Sequence, residues 1–376
     1  MSKVPEVKDI LRVLDAHYPF NRVAPWDNVG LLAGEEGKRA EKILISVDVT
    51  PDVVDRAIAM KCDLLLTHHP LFIDPLKKIN ESSPEGAILL KILRNGLSLI
   101  SAHTNADIAP RGVSFLLARA IGLEGISPIK VVDREKMYKV TVFLPEDHLE
   151  AVMKSAFEDG GGQIGNYRDC SFRVGGTGTF KPGTGTSPYL GEVGTLNSVH
   201  EERLELLVSE GNLEKVILSI RKSHPYEEPA IDVYPLEWGP PGGWLGVKGT
   251  LSREITLKKL LQSIGNSLQP SIIRYSGELG DMVRVAGVLG GSGGSYVEDA
   301  ISAGLDVFIT GDLKHHQVHA LKFSGVNAVD MGHYDSEKLI MGEFKRIIEE
   351  QFGESITVEL FGSSTECMRV FSMDTP

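Results

Sequence analysis

The chain is poor in cysteine and has no long apolar run, and each shortage excludes a class of protein. Its 376 residues include three cysteines, far apart at Cys62, Cys170 and Cys367. An odd number without paired spacing predicts neither a disulfide framework nor a thiolate zinc site, so we expect three buried thiols. No apolar run reaches the roughly 18 residues of a membrane helix, so we expect no membrane insertion.

Positive charge is also in short supply. The chain has 39 Lys and Arg residues against 51 Asp and Glu, which gives a formal net charge of −12. Binding to nucleic acid depends on clustered basic residues, so nucleic acid is not expected as a partner. A local pocket for one nucleotide stays open, because net charge describes long-range attraction and not a single site.

The first residues lack the apolar core of an export signal. Residues 1–20 mix charged and apolar side chains, with Val7, Ile10, Leu11 and Leu14 at helical spacing. This pattern predicts an amphipathic helix and not a signal peptide. We therefore expect the protein to be cytoplasmic.

What the sequence does contain is the alternation of strands and helices typical of α/β proteins, in two separate parts. Residues 41–128 show the alternation, and the last third of the chain repeats it from MVRVAGVLGG onward. The segments VDRAIAMKCDLLLT (54–67) and VEDAISAGLDVFIT (297–310) align without a gap and share five residues. We infer two related βα halves with parallel sheets, whose strand carboxyl ends converge at a ligand site.

The segment between the two halves has a different pattern. Short strands and helices in residues 134–240 predict a small antiparallel α+β module. Glycine, proline and threonine predict a long loop from Gly175 to Gly194 and a return linker from Gly239 to Gly243. The sequence thus predicts one discontinuous α/β domain, residues 1–133 and 241–376, with residues 134–240 inserted into it.

Six side chains at predicted strand ends form a candidate site. Two adjacent histidines follow the apolar run LLLT, at an edge where loops of α/β sheets carry function. In each half a later strand ends in a histidine with a carboxylate four residues on, a spacing that puts both side chains on one face of a helical turn. The candidates are His68, His69, His103, Asp107, His333 and Glu337.

The donor set of this site favours transition metals. Four imidazoles and two carboxylates suit Zn, Fe or Mn and are poor for Ca or Mg. Six ligands exceed the needs of one catalytic ion but suit two ions roughly 4 Å apart, with Asp107 and Glu337 each a candidate bridge. A water shared by two such ions ionises near neutral pH, so we expect hydrolysis of a small-molecule substrate.

Two further histidines admit a functional and a structural interpretation. His315 and His316 open the predicted helix after TGD. They are candidate catalytic residues that move protons or hold substrate, and ordinary exposed helix histidines are an equal alternative.

Three glycine-containing motifs favour structural roles. GxGxxG at 160–165 follows a helix and not a strand, so it lacks the context of a dinucleotide site. GGSGGS at 290–295 lies between strand and helix but has no Walker lysine, so a tight turn is favoured over a phosphate site. WDNVGL at 26–31 predicts a packed turn with Asn28 or Gly30 at positive φ.

With these motifs in view, the chain resembles the GTP cyclohydrolase 1 type 2 homolog family, also called NGG-one-interacting-factor-three-like, over essentially its whole length. The resemblance rests on WDNVGL, LLLTHHP, SAHTNAD, SHPYEEPAIDVYPL, FITGDLKHH and MGHYDSE. It implies two divalent transition-metal ions per subunit held by the same six residues, a toroidal homohexamer, and an inserted module similar to PII and CutA domains. The family name implies opening of the purine ring of a nucleotide.

Two classes of function stay open at this point. One is a metal-dependent hydrolase that acts on a small molecule such as a nucleotide. The other is a non-catalytic metal-binding scaffold or regulator whose inserted module senses a small molecule. An enzyme would lose turnover when its ligands are mutated, whereas a regulator would keep its effector response without turnover.

Overall fold

The computed structural model describes residues 4–369, which form two compact units. The first, here called the flanking unit, comprises the chain up to Asp133 and from Gly243 onward. The second, the middle unit, is Arg134–Gly242. Both contain strands and helices, so the protein has a mixed α/β fold with several sheets.

The described residues form strands throughout the chain. In chain order these are β1 (Gly30–Ala33), β2 (Lys42–Ser46), β3 (Leu64–Thr67), β4 (Ser98–Ser101), β5 (Leu123–Arg134), β6 (Met137–Leu144), β7 (Ser171–Phe180), β8 (Asn197–Ser209), β9 (Ile231–Leu236), β10 (Pro241–Thr256), β11 (Arg274–Ser276), β12 (Met282–Ser292), β13 (Val307–Gly311), β14 (Asn327–Asp330) and β15 (Thr357–Leu360).

The helices alternate with these strands. In chain order they are α1 (Val7–His17), α2 (Pro51–Ala59), α3 (Pro84–Arg94), α4 (Thr104–Asp107), α5 (Val113–Ala120), α6 (Leu149–Glu158), α7 (Glu210–Ser223), α8 (Leu257–Leu268), α9 (Val297–Ser302), α10 (His315–Phe323), α11 (His333–Glu337) and α12 (Leu339–Phe352). Within residues 4–369, no helix combines the length and the apolarity needed to cross a bilayer.

The two sheets of the flanking unit correspond in the order of their first four strands. The first runs β1-β4-β3-β2-β15 and the second β11-β14-β13-β12-β10-β5. In each, three central strands are parallel and an antiparallel strand, β1 or β11, covers one edge. The parallel strands are buried apolar runs, as in LLLT of β3, because helices cover both faces of such sheets.

A pair of hydrogen bonds repeats between the halves as well. The carboxylate of Asp63 accepts hydrogen bonds from the backbone N–H groups of Glu41 and Lys42, where β2 begins. The carboxylate of Asp306 accepts the same two bonds at the corresponding end of β12, from Arg284 and Val285. These aspartates are one of the five identical pairs in the gapless alignment, so that match reflects a shared structural role.

The amphipathic start of the chain packs as a helix on the first sheet. Its apolar side chains Val7, Ile10 and Leu14 are fully buried, in one core with Phe344 of α12. The helix is shorter than predicted, because it begins at Val7 and ends at His17. The predicted start at residues 1–3 lies outside the described part of the chain.

The middle unit has the order β6-α6-β7-β8-α7-β9 and one four-stranded sheet, β7-β8-β6-β9. All its strand pairs are antiparallel, which is the arrangement of a ferredoxin-like fold. The predicted loop from Gly175 to Gly194 is wrong in its first part, because β7 continues to Phe180. Glycine disfavours strands, but ten consecutive pairs with β8 outweigh that preference.

The prediction of three buried thiols holds for one cysteine. Cys62 is buried, Cys170 is half-buried and Cys367 is exposed. Cys367 lies after β15, where the described residues 361–369 form no strand or helix whose packing would bury a cysteine.

The chain leaves and re-enters the flanking unit at neighbouring points. Strands β5 and β10 are adjacent in the second sheet, and a Cβ on Gly243 would lie 3.0 Å from the Cβ of Asp133. All six candidate ligands lie outside residues 134–242.

We therefore expect a variant in which a short glycine linker joins Asp133 to Gly243 to fold and to keep the metal-binding capacity of the full chain. Circular dichroism and metal titration check this. A folded deletion variant that binds no metal would show that the middle unit is needed for the site.

Candidate metal centre

The structure brings all six candidate side chains together at the carboxyl ends of β3, β4 and β14. Their nitrogen and oxygen atoms form three overlapping groups, in each of which one atom per residue lies within 4.8 Å of the others. The groups are His68 with His69 and His103, His69 with His333 and Glu337, and His68 with Asp107 and Glu337.

The two adjacent histidines follow β3 in a tight turn. The hydroxyl of Thr67 donates to the carbonyl of His69 (2.8 Å), which closes the turn and directs both rings to one side. His68 is fully buried, and its Nδ1 donates to the carbonyl of Ala102 (2.8 Å). The Nδ1 of His69 bonds to Asp48 (2.7 Å), whose other oxygen accepts a hydrogen bond from the Thr365 hydroxyl.

The other two histidines are held in the same way. The Nδ1 of His103 bonds to Asp27 (2.8 Å), and the Nδ1 of His333 bonds to Asp312 (2.7 Å). Asp27 is fixed in turn by the backbone N–H and the hydroxyl of Thr104. All four imidazoles therefore use Nδ1 for a protein partner and present Nε2 to the cluster, an arrangement typical of metal-binding histidines.

Glu337 is the central acceptor of the cluster. It is 2% exposed, and its Oε1 lies 3.8 Å from Nε2 of His68. Its Oε2 lies 3.0 Å from Nε2 of His69 and 3.3 Å from Nε2 of His333. Asp107 is more peripheral, with Oδ1 3.4 Å from Nε2 of His68.

Several buried atoms of this cluster have no hydrogen-bond partner among the described residues. They are Nε2 of His68, Nε2 of His69, Oδ1 of Asp107 and Oε2 of Glu337. Although Nε2 of His69 is 3.0 Å from Oε2 of Glu337, their orientation is not that of a hydrogen bond. A buried unpaired polar atom costs about 1–3 kcal/mol, so four in one place call for a cation between them, and these residues fit one.

The carboxylates of the cluster raise the pKa of the histidines beside them. Burial lowers the pKa of His68, but the carboxylates of Asp107 and Glu337 outweigh burial and raise that pKa well above its usual value. Burial also lowers the pKa of His69, yet Asp48 and Glu337 raise it to about 9. Burial raises the pKa of Glu337, but the two imidazoles hold it well below its usual range. Without metal, protons on the imidazoles balance the buried carboxylate.

The loop GGSGGS has a structural role beside this cluster. The N–H groups of Gly290, Gly291 and Gly293 donate to hydroxyls of the protein, so these amides are not available to a phosphate. Gly291 has φ of +67°, and a Cβ there would collide with Oε1 of Glu337. Glycine at this position leaves room for the buried carboxylate.

We expect Gly291→Ala to displace Glu337 and to weaken metal binding by at least about tenfold. Gly304→Ala is a matched control, because Gly304 has φ of +70° and no described atom lies within 4 Å of a Cβ there. Both variants carry the same backbone strain, of about 1 kcal/mol. Metal titration of the two variants separates the effect of the collision with Glu337 from the effect of the backbone strain. Equal metal affinities of the two variants would contradict the role assigned to Gly291.

The other predicted histidines lie apart from these groups. His315 and His316 are exposed at the start of α10, and the ring of His315 contacts that of His319 at 4.5 Å. Within residues 4–369, neither belongs to a group able to hold a metal. Their catalytic role stays a prediction.

Three aspartates that orient imidazoles are not among the residues predicted from the sequence. Gly30 has φ of +95°, as predicted for WDNVGL, but Asp27 of the same motif also bonds to His103. Asp48 is the second residue after β2, and Asp312 follows β13 directly. An aspartate after a buried parallel strand, beside the strand that carries the histidines, was the available signal.

The fold and the site define a mixed α/β protein with histidine and carboxylate groups able to hold metal. The model of the Duf34/NIF3 (NGG1p interacting factor 3) family matches residues 5–367. The chain belongs to this family.

Curated relatives and a solved structure match over nearly the whole chain. The GTP cyclohydrolase 1 type 2 homolog of Halalkalibacterium halodurans is 36% identical over 348 residues, 93% of each chain. That of Bacillus subtilis is 35% identical over 97% of this chain and 98% of its own. The crystal structure of a Bacillus cereus protein related to NIF3 superposes with a TM-score of 0.90, at 35% identity, and covers 99% of this chain and 100% of the other.

Proposed function

We propose that this protein holds two divalent transition-metal ions, Zn, Fe or Mn, and uses them to hydrolyse a small-molecule substrate. The observation that carries the proposal is the convergence of four imidazole Nε2 atoms and two carboxylates whose buried atoms lack partners. Each of the four rings is already oriented through Nδ1. This donor set suits these metals and exceeds the needs of one ion.

The overlap of the groups suggests how the ions share ligands. Glu337 belongs to two of the three groups, one with His69 and His333 and the other with His68 and Asp107. Glu337 is therefore the residue that both ions would share. A carboxylate can take this role because its two oxygens can each bind an ion, whereas a neutral imidazole has one free nitrogen.

The protein's own groups prepare the site for hydrolysis. When bound, two such ions supply a water that ionises near neutral pH and polarise a substrate oxygen. His68 is fully buried and Glu337 is 2% exposed, so these two side chains have almost no contact with bulk water. The side chains of His333 and Asp312 are 37% and 50% exposed, so the substrate would approach from their side.

A nucleotide is the substrate class that we favour. The relatives are named GTP cyclohydrolase 1 type 2 homolog, and a cyclohydrolase opens a ring by adding water. We also propose that His315 or His316, at the start of the helix that follows Asp312, moves a proton or holds the substrate.

Turnover of metal-loaded protein tests this proposal. Protein loaded with Zn, Mn or Fe(II) is incubated with GTP, and ring opening is followed by formate release and by the change in ultraviolet absorbance. Other nucleotides, cyclic nucleotides and phosphoesters extend the screen. Activity that disappears in His69→Ala supports the hydrolase, whereas protein with two ions and no turnover on any of these would favour a scaffold or regulator.

We further propose that residues 134–240 are an inserted module of the PII and CutA type and that the chain assembles as a homohexamer in the cytoplasm. The order of strands and helices in the middle unit supports the first part. Large apolar side chains exposed on this unit support self-association, among them Phe172, Val174, Leu218 and Tyr234. Light scattering after size-exclusion chromatography gives the mass of the assembly, and a monomer would contradict the proposal.

A further inference from the structure

The middle unit contains a cavity of about 470 Å³, a volume in the range of small-molecule sites. It lies between β7, the loop that follows β7, and the turn SHPYEEP before β9. Aromatic and apolar side chains form most of its wall. They are Phe143, Phe180, Pro182, Tyr189, Leu190 and Tyr226.

A buried carboxylate lies in this wall. Glu201 of β8 is 9% exposed, and one of its oxygens accepts a hydrogen bond from the hydroxyl of Tyr226 (2.8 Å). Within the described part of the chain, no lysine, arginine or histidine forms an ion pair with Glu201. A buried charge without an opposite charge is costly, so the cavity favours a positively charged guest.

Glycines in the neighbouring strand keep this carboxylate accessible from the cavity. Gly176 pairs with Glu201 across the sheet, and Gly178 lies on the same face of β7. A Cβ on Gly178 would collide with Oε2 of Glu201. The sequence VGGTGTF therefore places no side chain over the carboxylate at these two positions.

The entrance adds further negative charge. Glu227 and Glu228 line the cavity and are exposed, and the backbone N–H of Ser187 donates to Glu227 (3.1 Å). Among the lining residues, Lys181 is the one ammonium against three carboxylates, so the charge of the lining is negative.

The spacing of these carboxylates argues against a bare metal ion. Groups of described residues that could hold a metal all lie in the flanking unit, and none includes Glu201. The aromatic walls instead suit an apolar stem, and the faces of tyrosine rings attract cations.

We propose that this cavity binds an organic cation with a primary ammonium group on a flat apolar stem. The ammonium pairs with the free side of the Glu201 carboxylate, and the stem lies between Tyr189, Tyr226 and Phe180. The hydroxyl of Tyr226 stays a donor to Glu201, since burial and that hydrogen bond raise its pKa well above the usual value.

Calorimetry on the full-length protein tests the charge preference. The probe is 2-phenylethylamine, and 3-phenylpropionate is its anionic counterpart. We expect saturable binding of the amine at millimolar concentration or below and none of the acid. Equal binding of both probes, binding of the acid alone, or no saturable binding of the amine would overturn the proposal.

Two glutamates next to each other on β8 provide matched variants. Glu201→Gln keeps the shape of the side chain and should weaken binding of the amine by about 10- to 100-fold, because a charged hydrogen bond is lost. Glu202→Gln, whose side chain points to the other face of the strand and is not in the cavity wall, should bind as the wild type does. Equal affinities of the two variants would overturn the proposal.

Two more variants keep the test independent of folding and of the metal centre. Glu227→Gln changes an exposed residue and should weaken binding a few-fold, an effect that salt reduces. Glu337→Gln should bind the amine as the wild type does, since Glu337 lies in the flanking unit. Unchanged binding in Glu227→Gln at low salt, or loss of binding in folded Glu337→Gln, would contradict this location of the site.

Discussion

Replacement of Glu337 by glutamine should weaken binding of both metal ions, by at least about 100-fold each, while the protein stays folded. The reason is that Glu337 reaches Nε2 of three imidazoles and belongs to two of the three groups. A glutamine keeps the shape of the side chain but has one neutral oxygen that can bind an ion. Its NH2 group would lie where the second carboxylate oxygen was, and it would repel a cation. Metal titration with elemental analysis measures the effect, and circular dichroism checks the fold.

Two companion variants make this result specific. Glu350→Gln, on exposed α12 surface, controls for the loss of one negative charge. Asp107→Asn should weaken the binding of chiefly one ion. Among the described residues, His68 is the one imidazole of the four that lies within ion-pair distance of Asp107. If Asp107→Asn weakens both ions equally, both carboxylates are bridges, as the sequence repeat suggests. If Glu337→Gln keeps one ion at wild-type affinity, Glu337 is not shared.

Metal affinity should rise by at least about 50-fold between pH 7 and pH 9. The pKa of His69 in the metal-free protein is about 9, so a proton occupies this imidazole at neutral pH and the ion must displace it. Each displaced proton makes affinity rise about tenfold per pH unit below that pKa. Calorimetric titrations in buffers of different ionisation enthalpy measure both the affinity and the protons released. A flat profile with no proton release would contradict the assigned protonation of His69.

The stability of the metal-free protein should depend on pH through His69 and Glu337, whose contributions are lost at opposite ends of the pH range. The pKa of His69 is raised from 6.5, so its contribution is complete below pH 6.5 and is lost as pH rises through about 9. The pKa of Glu337 is lowered from 4.5, so its contribution is complete above pH 4.5 and is lost in acid. Thermal unfolding of metal-free protein should therefore show its highest Tm between about pH 4.5 and 6.5. In His69→Ala the decline above pH 6.5 should be smaller.

The sequence predicts the members of the candidate site better than their surroundings. Histidines and carboxylates at the ends of buried strands recur at one spacing in both halves, and parallel strands bring such ends together. For the aspartates that orient the rings, position after a strand is a signal for two of them, but the sequence does not show which histidine each aspartate contacts. Asp27 is 76 positions from His103, and Asp48 and Asp312 are each 21 positions from their histidines. Such pairs depend on which loops the tertiary structure brings together.

Some strands are likewise evident in the sequence, and others depend on the tertiary structure. Strands such as β3 and β13 are buried at every position and are mostly apolar, which makes them evident in the sequence. Strand β5 alternates buried, half-buried and exposed residues without a regular period, so its sequence LEGISPIKVVDR gives no clear pattern. Strand β7 is rich in glycine, and its place in the sheet comes from pairing with β8 and not from its own preference.

The hydrogen bond from Thr365 to Asp48 has a consequence for the synthesis of the protein. Asp48 supports His69, so a histidine from the start of the site depends on Thr365, a residue 317 positions after Asp48 that leaves the ribosome much later. His333 and Glu337 also emerge late. Because ribosomes add about 5–20 residues per second, a nascent chain exposes His68, His69 and His103 for a time on the order of ten seconds or more before their partners exist. The complete centre forms only after Thr365 has emerged, and a chain cut before Thr365 lacks the hydrogen bond that holds Asp48 beside His69.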